Sequence, residues 1–190
     1  MKIFDYLDDE CLGKVRSVDT TTVVVFVEDV EKLRMLQVNR LAVLQSSRPG
    51  QHLIGLIQKI TRTSVVSKST MEMNDDDGEI NGNTELNLVK IALIGTVLDK
   101  LGEKVNVFTR TLETVPEIDA NCFAVEGARL TNFMRIVGNI SADGQRLSLG
   151  TYTLDDGAEA FLNGNKFFQR HAIIVGSTGV RQVLGNCSNT

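Results

Sequence analysis

Alternating apolar and polar residues predict short β-strands through the first half of the chain. Residues 12–18 alternate in this way, and the valine-rich residues 21–27 follow after an Asp-Thr turn. In the first run we expect Val15 and Val18 near one face of the strand, with Lys14 and Arg16 exposed. The second run is apolar on both faces, which is typical of a strand buried inside a barrel.

Further strands are expected at short spacing. The segment 30–45 leaves two interpretations open, because residues 31–36 suit a helical turn whereas residues 39–44 suit a strand. The remaining strand-like runs are residues 52–60, 86–98 and 105–108. Gly55 within the first of them is a candidate bulge or close-packing site. Short strands separated by turns favour a small β-barrel that ends near Pro116 over βαβ repeats.

An amphipathic helix is predicted over residues 128–137, after the pattern has changed at Pro116. Its apolar stripe has the i, i+3, i+4, i+7 spacing and consists of Leu130, Phe133, Met134 and Val137. Gly138 follows the stripe and closes the helix. We interpret the stripe as core packing and not as a ligand site.

An acidic window interrupts the apolar pattern between residues 67 and 85. Its carboxylates are Glu72, Asp75, Asp76, Asp77 and Glu79. A calcium loop would space its acidic residues at alternate positions, whereas three of these are consecutive. We therefore expect a solvated hairpin insertion and no metal site.

The composition narrows the class of protein. The chain has 190 residues, of which 42% are apolar and 23% charged, so global disorder is excluded. A net charge of -4 disfavours a protein that binds nucleic acid over its whole surface. The three cysteines, Cys11, Cys122 and Cys187, are odd in number and far apart in the sequence, so neither a zinc cluster nor a disulfide framework is indicated. With neither a spanning apolar run nor a signal-peptide pattern, we expect a reduced, cytoplasmic protein.

The segment with the clearest chemistry begins at residue 172. Residues 172–175 are wholly apolar and lead directly into Gly176, Ser177, Thr178 and Gly179, as a buried strand leads into a phosphate-binding loop. The complete loop pattern requires Gly, Lys and Ser or Thr at positions that Arg181, Gln182 and Val183 occupy here. The half-loop thus lacks the lysine for the β- and γ-phosphates and the hydroxyl that binds magnesium.

Residues 180–190 become informative when they are read through the genetic code. One permitted set of codons, with one base deleted after Gly179, encodes Gly-Ser-Gly-Lys-Ser-Trp-Ala-Thr-Val-Ala-Ile. That reading restores the missing glycine, lysine and serine and continues with residues that suit a helix. We therefore expect residues 180–190 to be a frameshifted tail, so that the chain is truncated at the loop; the coding DNA tests this.

A small barrel followed by Arg-His and this apolar run resembles the HerA family of hexameric ATP-driven DNA translocases. The resemblance implies a mostly β fold with a HAS-like barrel over 1–115, carrying the acidic insertion at 67–85. It further implies that residues 116–179 hold a connecting region and the first elements of a RecA-like α/β P-loop ATPase domain. Members of the family assemble as hexamers and act on double-stranded DNA through the motor domain, in DNA processing with a nuclease partner. Related versions serve anti-phage defence with nuclease or sirtuin-like effectors.

The resemblance transfers few site residues. Gly176, Ser177, Thr178 and Gly179 match the first half of the nucleotide loop, while ATP and magnesium belong to the intact family member. Arg170 either contacts a neighbouring subunit's nucleotide or, with His171, anchors the entry to the strand. We expect no catalytic residue, no bound cofactor and no ATP hydrolysis in this chain.

Two other interpretations remain. The chain is alternatively a self-contained β-barrel interaction module, in which residues 176–179 form an ordinary turn. A barrel that binds single-stranded nucleic acid would need exposed aromatic residues among basic ones, which an aromatic content of 5% disfavours. His52, in an apolar strand, is expected to be structural.

Overall fold

The computed structural model describes residues 3–67, 82–138, 140 and 146–169. Seven strands come before the long helix: β1 (Gly13–Asp19), β2 (Thr22–Phe26), β3 (Leu41–Gln45), β4 (Gln51–Ser67), β5 (Gly82–Leu101), β6 (Lys104–Thr109) and β7 (Asn121–Ala124). The other elements are a short 3-10 helix (Asp8–Glu10), α1 (Val30–Met35), α2 (Gly127–Val137), β8 (Arg146–Tyr152), β9 (Asp155–Asn163) and α3 (Gly164–Phe168). The ambiguous segment 30–45 thus contains both a helix and a strand.

Six strands close into a barrel, so the predicted mostly β fold with a small barrel is confirmed. The order around it is β1, β2, β5, β4, β3 and β7, which returns to β1, and every pairing is antiparallel. Strand β6 pairs with β5 and extends the sheet outside the closed ring. Strand β7 lies past residue 115, where we expected the barrel to end, and it fills the gap between β1 and β3. Its four residues are too short a run to show a strand period.

The barrel interior is filled by alternate residues of its strands. In β2, Val23 and Val25 are fully buried, whereas Val24 and Phe26 stay partly exposed. The expectation that this strand is buried on both faces is therefore wrong, because only the inner face of a barrel strand is enclosed. Helix α1 and the residue after it add Leu33 and Leu36 to the interior cluster.

Two local irregularities allow the strands to fit this interior. The pairing of β1 with β2 shifts register between Val15 and Ser17, which brings Val15 and Val18 to the same side as predicted. Gly55 lies at a second register shift, and a Cβ atom there would lie 2.3 Å from Cγ2 of Ile91. Both expectations for Gly55, a bulge and close packing, are confirmed.

A second core lies on the outside of the barrel, beneath α2. Phe133 of α2 is 2% exposed and packs with Val43, Ile54 and Val97 of the barrel and with Phe4 of the N-terminal segment. The predicted helix over residues 128–137 is confirmed, and its stripe packs against the core as expected except at its end, where Val137 is exposed. Strands β8 and β9 form a hairpin that packs on α2 through β9.

The described residues contain no helix that is both long and apolar enough to cross a membrane. The apolar run at 172–175, with which we expected a RecA-like domain to begin, lies outside the described residues, as does the tail at 180–190. Every strand pairing among residues 3–169 that the structure describes is antiparallel.

Candidate functional site

The residues predicted from the phosphate-loop pattern lie outside the described part of the chain. This applies to Arg170 and His171 and to Gly176, Ser177, Thr178 and Gly179. Their arrangement and the role of Arg170 stay predictions. The carboxylates Glu72, Asp75, Asp76, Asp77 and Glu79 are also outside the described residues, so the hairpin insertion stays a prediction. Strands β4 and β5 pair as far as Ser67 opposite Gly82.

A cavity of about 390 Å³ lies where the barrel, α2 and the turn between β8 and β9 meet. Its walls are mostly apolar side chains: Leu41, Leu56, Val125, Leu130, Met134 and Leu154. Tyr152 also lines it, and burial raises the pKa of this phenol, which therefore stays neutral. The polar residues among those that line it are Asn39, Arg40, Thr153 and Asp155.

Arg40 joins the barrel to the hairpin at one side of this cavity. Its Nη1 donates to Oε1 of Glu126 at 2.5 Å, and its Nη2 donates to the carbonyl oxygen of Leu154. The side chain is 19% exposed, and its Nε atom is buried with no hydrogen-bond partner among the described residues. Two of the three guanidinium nitrogens are thus held in place, while the third has an unused donor.

Asp155 ties the hairpin turn to the start of α2. Its Oδ2 accepts from the backbone N–H of Gly127 at 2.7 Å, and its Oδ1 accepts from that of Gly157 at 3.0 Å. Gly127 has a φ of +54°, a conformation that glycine adopts without steric cost. A carboxylate at the first turn of a helix also interacts favourably with the helix dipole.

The N-terminal segment holds the other side of α2. Arg129 donates to both carboxylate oxygens of Glu10, at 2.7 and 2.9 Å, and to the carbonyl oxygen of Asp5. These hydrogen bonds hold the pKa of Glu10 below its ordinary value. The same guanidinium lies 4.1 Å from the ring centre of Tyr6, whose hydroxyl donates to the carbonyl oxygen of Ala124. Burial raises the pKa of Tyr6.

His52 lies away from the cavity, on β4. Its Nε2 is 3.2 Å from Oδ1 of Asp99 on β5, and its ring is 5.5 Å from that of Phe4. This packing between two strands and an aromatic ring is what we expect of a structural histidine. Within the described ranges, no three His, Cys, Asp or Glu side chains are grouped so as to hold a metal ion.

The cavity is lined mostly by apolar side chains with a few polar ones, which is the usual make-up of small-molecule binding sites. No pattern along the chain predicts this site, because Arg40 and Asp155 lie far apart in the sequence. The one local signal is the Asp-Asp-Gly sequence at 155–157, at the start of β9, and it does not reveal the partners of Asp155.

Comparisons with known proteins leave this description unchanged. No protein-family model matches the chain, and a search of curated proteins finds no significant match.

Proposed function

We propose that this chain is the N-terminal part of a HerA-like, ATP-dependent translocase of double-stranded DNA. Its barrel serves ring assembly and docks a nuclease or sirtuin-like effector, in DNA processing or anti-phage defence. The observation that carries the proposal is a closed barrel followed in the sequence by Arg-His, an apolar run and a glycine-bounded turn. The motor domain of such a protein supplies the DNA contacts.

The chain itself is proposed to be non-catalytic. Phosphoryl transfer depends on cations that neutralise the charge developing on the γ-phosphate. Gln182 stands where the phosphate-binding lysine would be, and Val183 stands where the magnesium-binding hydroxyl would be. ATP and magnesium are therefore cofactors of the intact family member and not of this polypeptide.

A two-stranded extension beyond the barrel supports a role in docking. Strand β3 covers β4 only at residues 52–56, and β2 covers β5 only at residues 88–92. Residues 62–67 and 82–87 therefore pair with each other and form a ribbon about 20 Å long. Among the described residues, their one further backbone bond to a neighbouring strand is from the N–H of Val27 to the carbonyl oxygen of Asn87. Both outer edges of this β4–β5 ribbon carry backbone groups that a partner's strand can bind.

The ribbon offers a direct test. Arg62 pairs with Glu85 across it at 2.6 Å, and both side chains are exposed. Native mass spectrometry should show a hexamer, or a stoichiometric complex with a larger effector, and Arg62→Glu should weaken that assembly. A matched control is Arg34→Glu, because Arg34 also forms an exposed 2.6 Å ion pair, with Glu31 on α1. A stable monomer, or equal losses in both variants, would contradict the proposal.

Hydrolysis is tested separately. The purified chain should show no ATPase activity above background, and a rate that scales with its concentration would contradict the assignment. Sequencing the coding DNA decides whether the alternate frame exists at codons 180–190.

The second candidate function is a self-contained barrel that binds proteins without nucleotide chemistry. It is favoured by the observation that the barrel is complete at Ala124, with its interior cluster closed by residues up to Cys122. A monomer that captures a partner without any nucleotide dependence would support this candidate over the first.

A further inference from the structure

We propose that the outer face of the barrel, across β1, β2, β5 and β4, binds the phosphate backbone of double-stranded DNA. The contact is independent of base sequence, and the side chains that contribute most to it are Lys59 and Lys90. This inference goes beyond the proposed function, which assigns the DNA contacts to the motor domain, and it does not depend on ring assembly.

Two lysines lie directly opposite each other on this face. Lys59 of β4 pairs with Lys90 of β5, and both side chains are exposed. Opposite residues on one face have Cβ atoms about 5 Å apart, so both ammonium groups can reach the same anion, and without an anion they repel each other. Among the described residues, neither lysine forms an ion pair with a carboxylate. A bound phosphate would neutralise both charges.

A bulge in β4 creates this lysine pair. The pairing of β4 with β5 shifts register between Ile57 and Lys59, so that Gln58 is the extra residue. Ile57 is fully buried in the barrel interior. Without the extra residue, Gln58 would lie opposite Lys90 and Lys59 would point inward, because successive side chains of a strand alternate between its faces. The bulge therefore brings Lys59 to the outer face, opposite Lys90.

The same face carries further cations two strands away. Lys90 is opposite Val24 of β2, and Val24 is opposite Ser17 of β1, which follows the exposed Arg16. From β4 to β1 there are three strand spacings, or about 14 Å. One strand of a DNA duplex rises about 3.4 Å per nucleotide, so the face spans about four of its phosphates.

The side chains between the cations favour a duplex over other polyanions. Val24, Phe26 and Leu88 are only partly exposed, and the guanidinium of Arg16 lies 5.5 Å from the ring centre of Phe26. This ring is therefore a poor platform for the unstacked bases of a single strand. The centre of a protein–protein interface is mostly apolar, whereas DNA-binding surfaces are more polar and much more positively charged.

The negative charge of the chain lies mostly elsewhere in the sequence. Residues 68–81 contain five of its 24 acidic residues and one of its 20 basic ones, so the rest of the chain has 19 of each. On the face itself, Asp119 compensates Arg16 at 2.9 Å. We therefore expect Lys59 and Lys90 to contribute more to phosphate binding than Arg16.

Fluorescence anisotropy of a short, labelled DNA duplex tests the proposal on the intact chain. We expect saturable binding at about 50 mM salt that weakens as the salt concentration rises, because neutralised phosphates release their counterions. Two duplexes of different base sequence should bind equally well, since backbone contacts carry no sequence information. Absence of binding at about 50 mM salt and about 100 μM protein would overturn the proposal.

Two matched double variants locate the binding. Lys59→Gln with Lys90→Gln removes the pair, whereas Lys100→Gln with Lys104→Gln removes two exposed lysines beside the β5–β6 turn and changes the net charge equally. The first variant should bind the duplex about 10- to 100-fold more weakly at about 50 mM salt, and its plot of log affinity against log salt should be less steep by about 2. The second should bind within about threefold of the wild type. Equal losses in both variants would overturn the site.

Urea denaturation separates a loss of binding from a loss of folding. Because the opposed lysines repel each other, the variant that lacks both should be at least as stable as the wild type. If it is less stable, the single variants Lys59→Gln and Lys90→Gln decide, and each should reduce the salt slope by about 1. Unchanged slopes in the folded single variants would overturn the role of the pair.

Competition distinguishes the duplex from other polyanions. Unlabelled duplex should displace the labelled duplex more effectively than a single strand of the same length or poly-glutamate does. More effective displacement by the single strand would overturn the duplex assignment. More effective displacement by poly-glutamate would overturn it in favour of an acidic protein partner. Binding is measured in any oligomeric state, so a hexamer that binds no duplex contradicts this inference alone, and a monomer that binds it contradicts the proposed function alone.

Discussion

The barrel and the β8–β9 hairpin differ in how many of their strands' backbone hydrogen bonds are made to neighbouring strands. Each of the six barrel strands has a hydrogen-bonded neighbour on both sides, and the enclosed side chains are almost without solvent exposure. The hairpin has two strands, and Ala158 is its one buried residue among those described. An isolated two-stranded hairpin is marginal in water, so this one depends on α2 and on Arg40 and Asp155. The candidate cavity lies at the junction of these two regions.

The largest expected effect tests whether α2 belongs with the barrel. Phe133→Ala should lower the free energy of unfolding by about 3–5 kcal/mol, because it empties the centre of the outer core. The Phe133 ring packs edge-on against the Phe108 ring, with 5.3 Å between the ring centres, and it also lies near the ring of Phe4. Urea denaturation measures the change, and Val137→Ala at the exposed end of the helix should cost within about 0.5 kcal/mol. Similar costs at both positions would show that α2 unfolds apart from the barrel.

A leucine pair compares the two regions directly. Leu53 is fully buried in the barrel, and Leu149 on β8 is 62% exposed. Leu53→Ala should cost about 2–5 kcal/mol in the same denaturation experiment, because it leaves a cavity in the interior. Leu149→Ala should cost within about 0.5 kcal/mol. A large loss at Leu149 would mean that another surface covers the hairpin.

Asp155→Ala should loosen the hairpin and leave the barrel intact. It removes the acceptor for the N–H groups of Gly127 and Gly157, at a cost of about 1.5–3 kcal/mol. Hydrogen exchange should become faster for β8 and β9 and stay slow for β2 and β5. Asp156→Ala, at the exposed neighbouring position, is the control and should change neither. Faster exchange in the barrel would refute the separation of the two regions.

The smallest expected effect is a dependence on pH at the other side of α2. Arg129 holds the pKa of Glu10 below its ordinary value of 4.5, so ionised Glu10 stabilises the folded state. This contribution is present above pH 4.5 and is lost as the pH falls through the lowered value. Glu10→Gln should be less stable than the wild type near neutral pH, and the difference should shrink in acid. Parallel stability curves for the two proteins would contradict this.

The barrel could be predicted from the sequence because the alternation of apolar and polar residues that marks a strand lies within a few neighbouring residues. Alternation identified β1, and helical spacing identified α2 together with the inward position of Phe133. The end of the barrel could not be found in this way, since β7 is recognised only by its partners β1 and β3.

The cavity was invisible to sequence reasoning for the same reason. Arg40 and Asp155 are ordinary turn-adjacent residues until the fold brings the β8–β9 turn to the barrel. The spacing of apolar residues along a strand or helix shows which face of that element is apolar. It does not show which other part of the molecule that face packs against. The phosphate-loop residues from Gly176 onward stay a prediction from their pattern.

The closure of the barrel also sets the order of events during synthesis. Gly13 in β1 pairs with Cys122 in β7, so the barrel cannot close until its last strand has been synthesised. At about 5–20 residues per second, a ribosome needs several seconds to supply that partner. Until then no later strand covers the apolar inner face of the β1–β2 hairpin. Contacts between residues so distant along the chain also form slowly. The nascent chain is therefore most prone to aggregation before residue 124 leaves the ribosome.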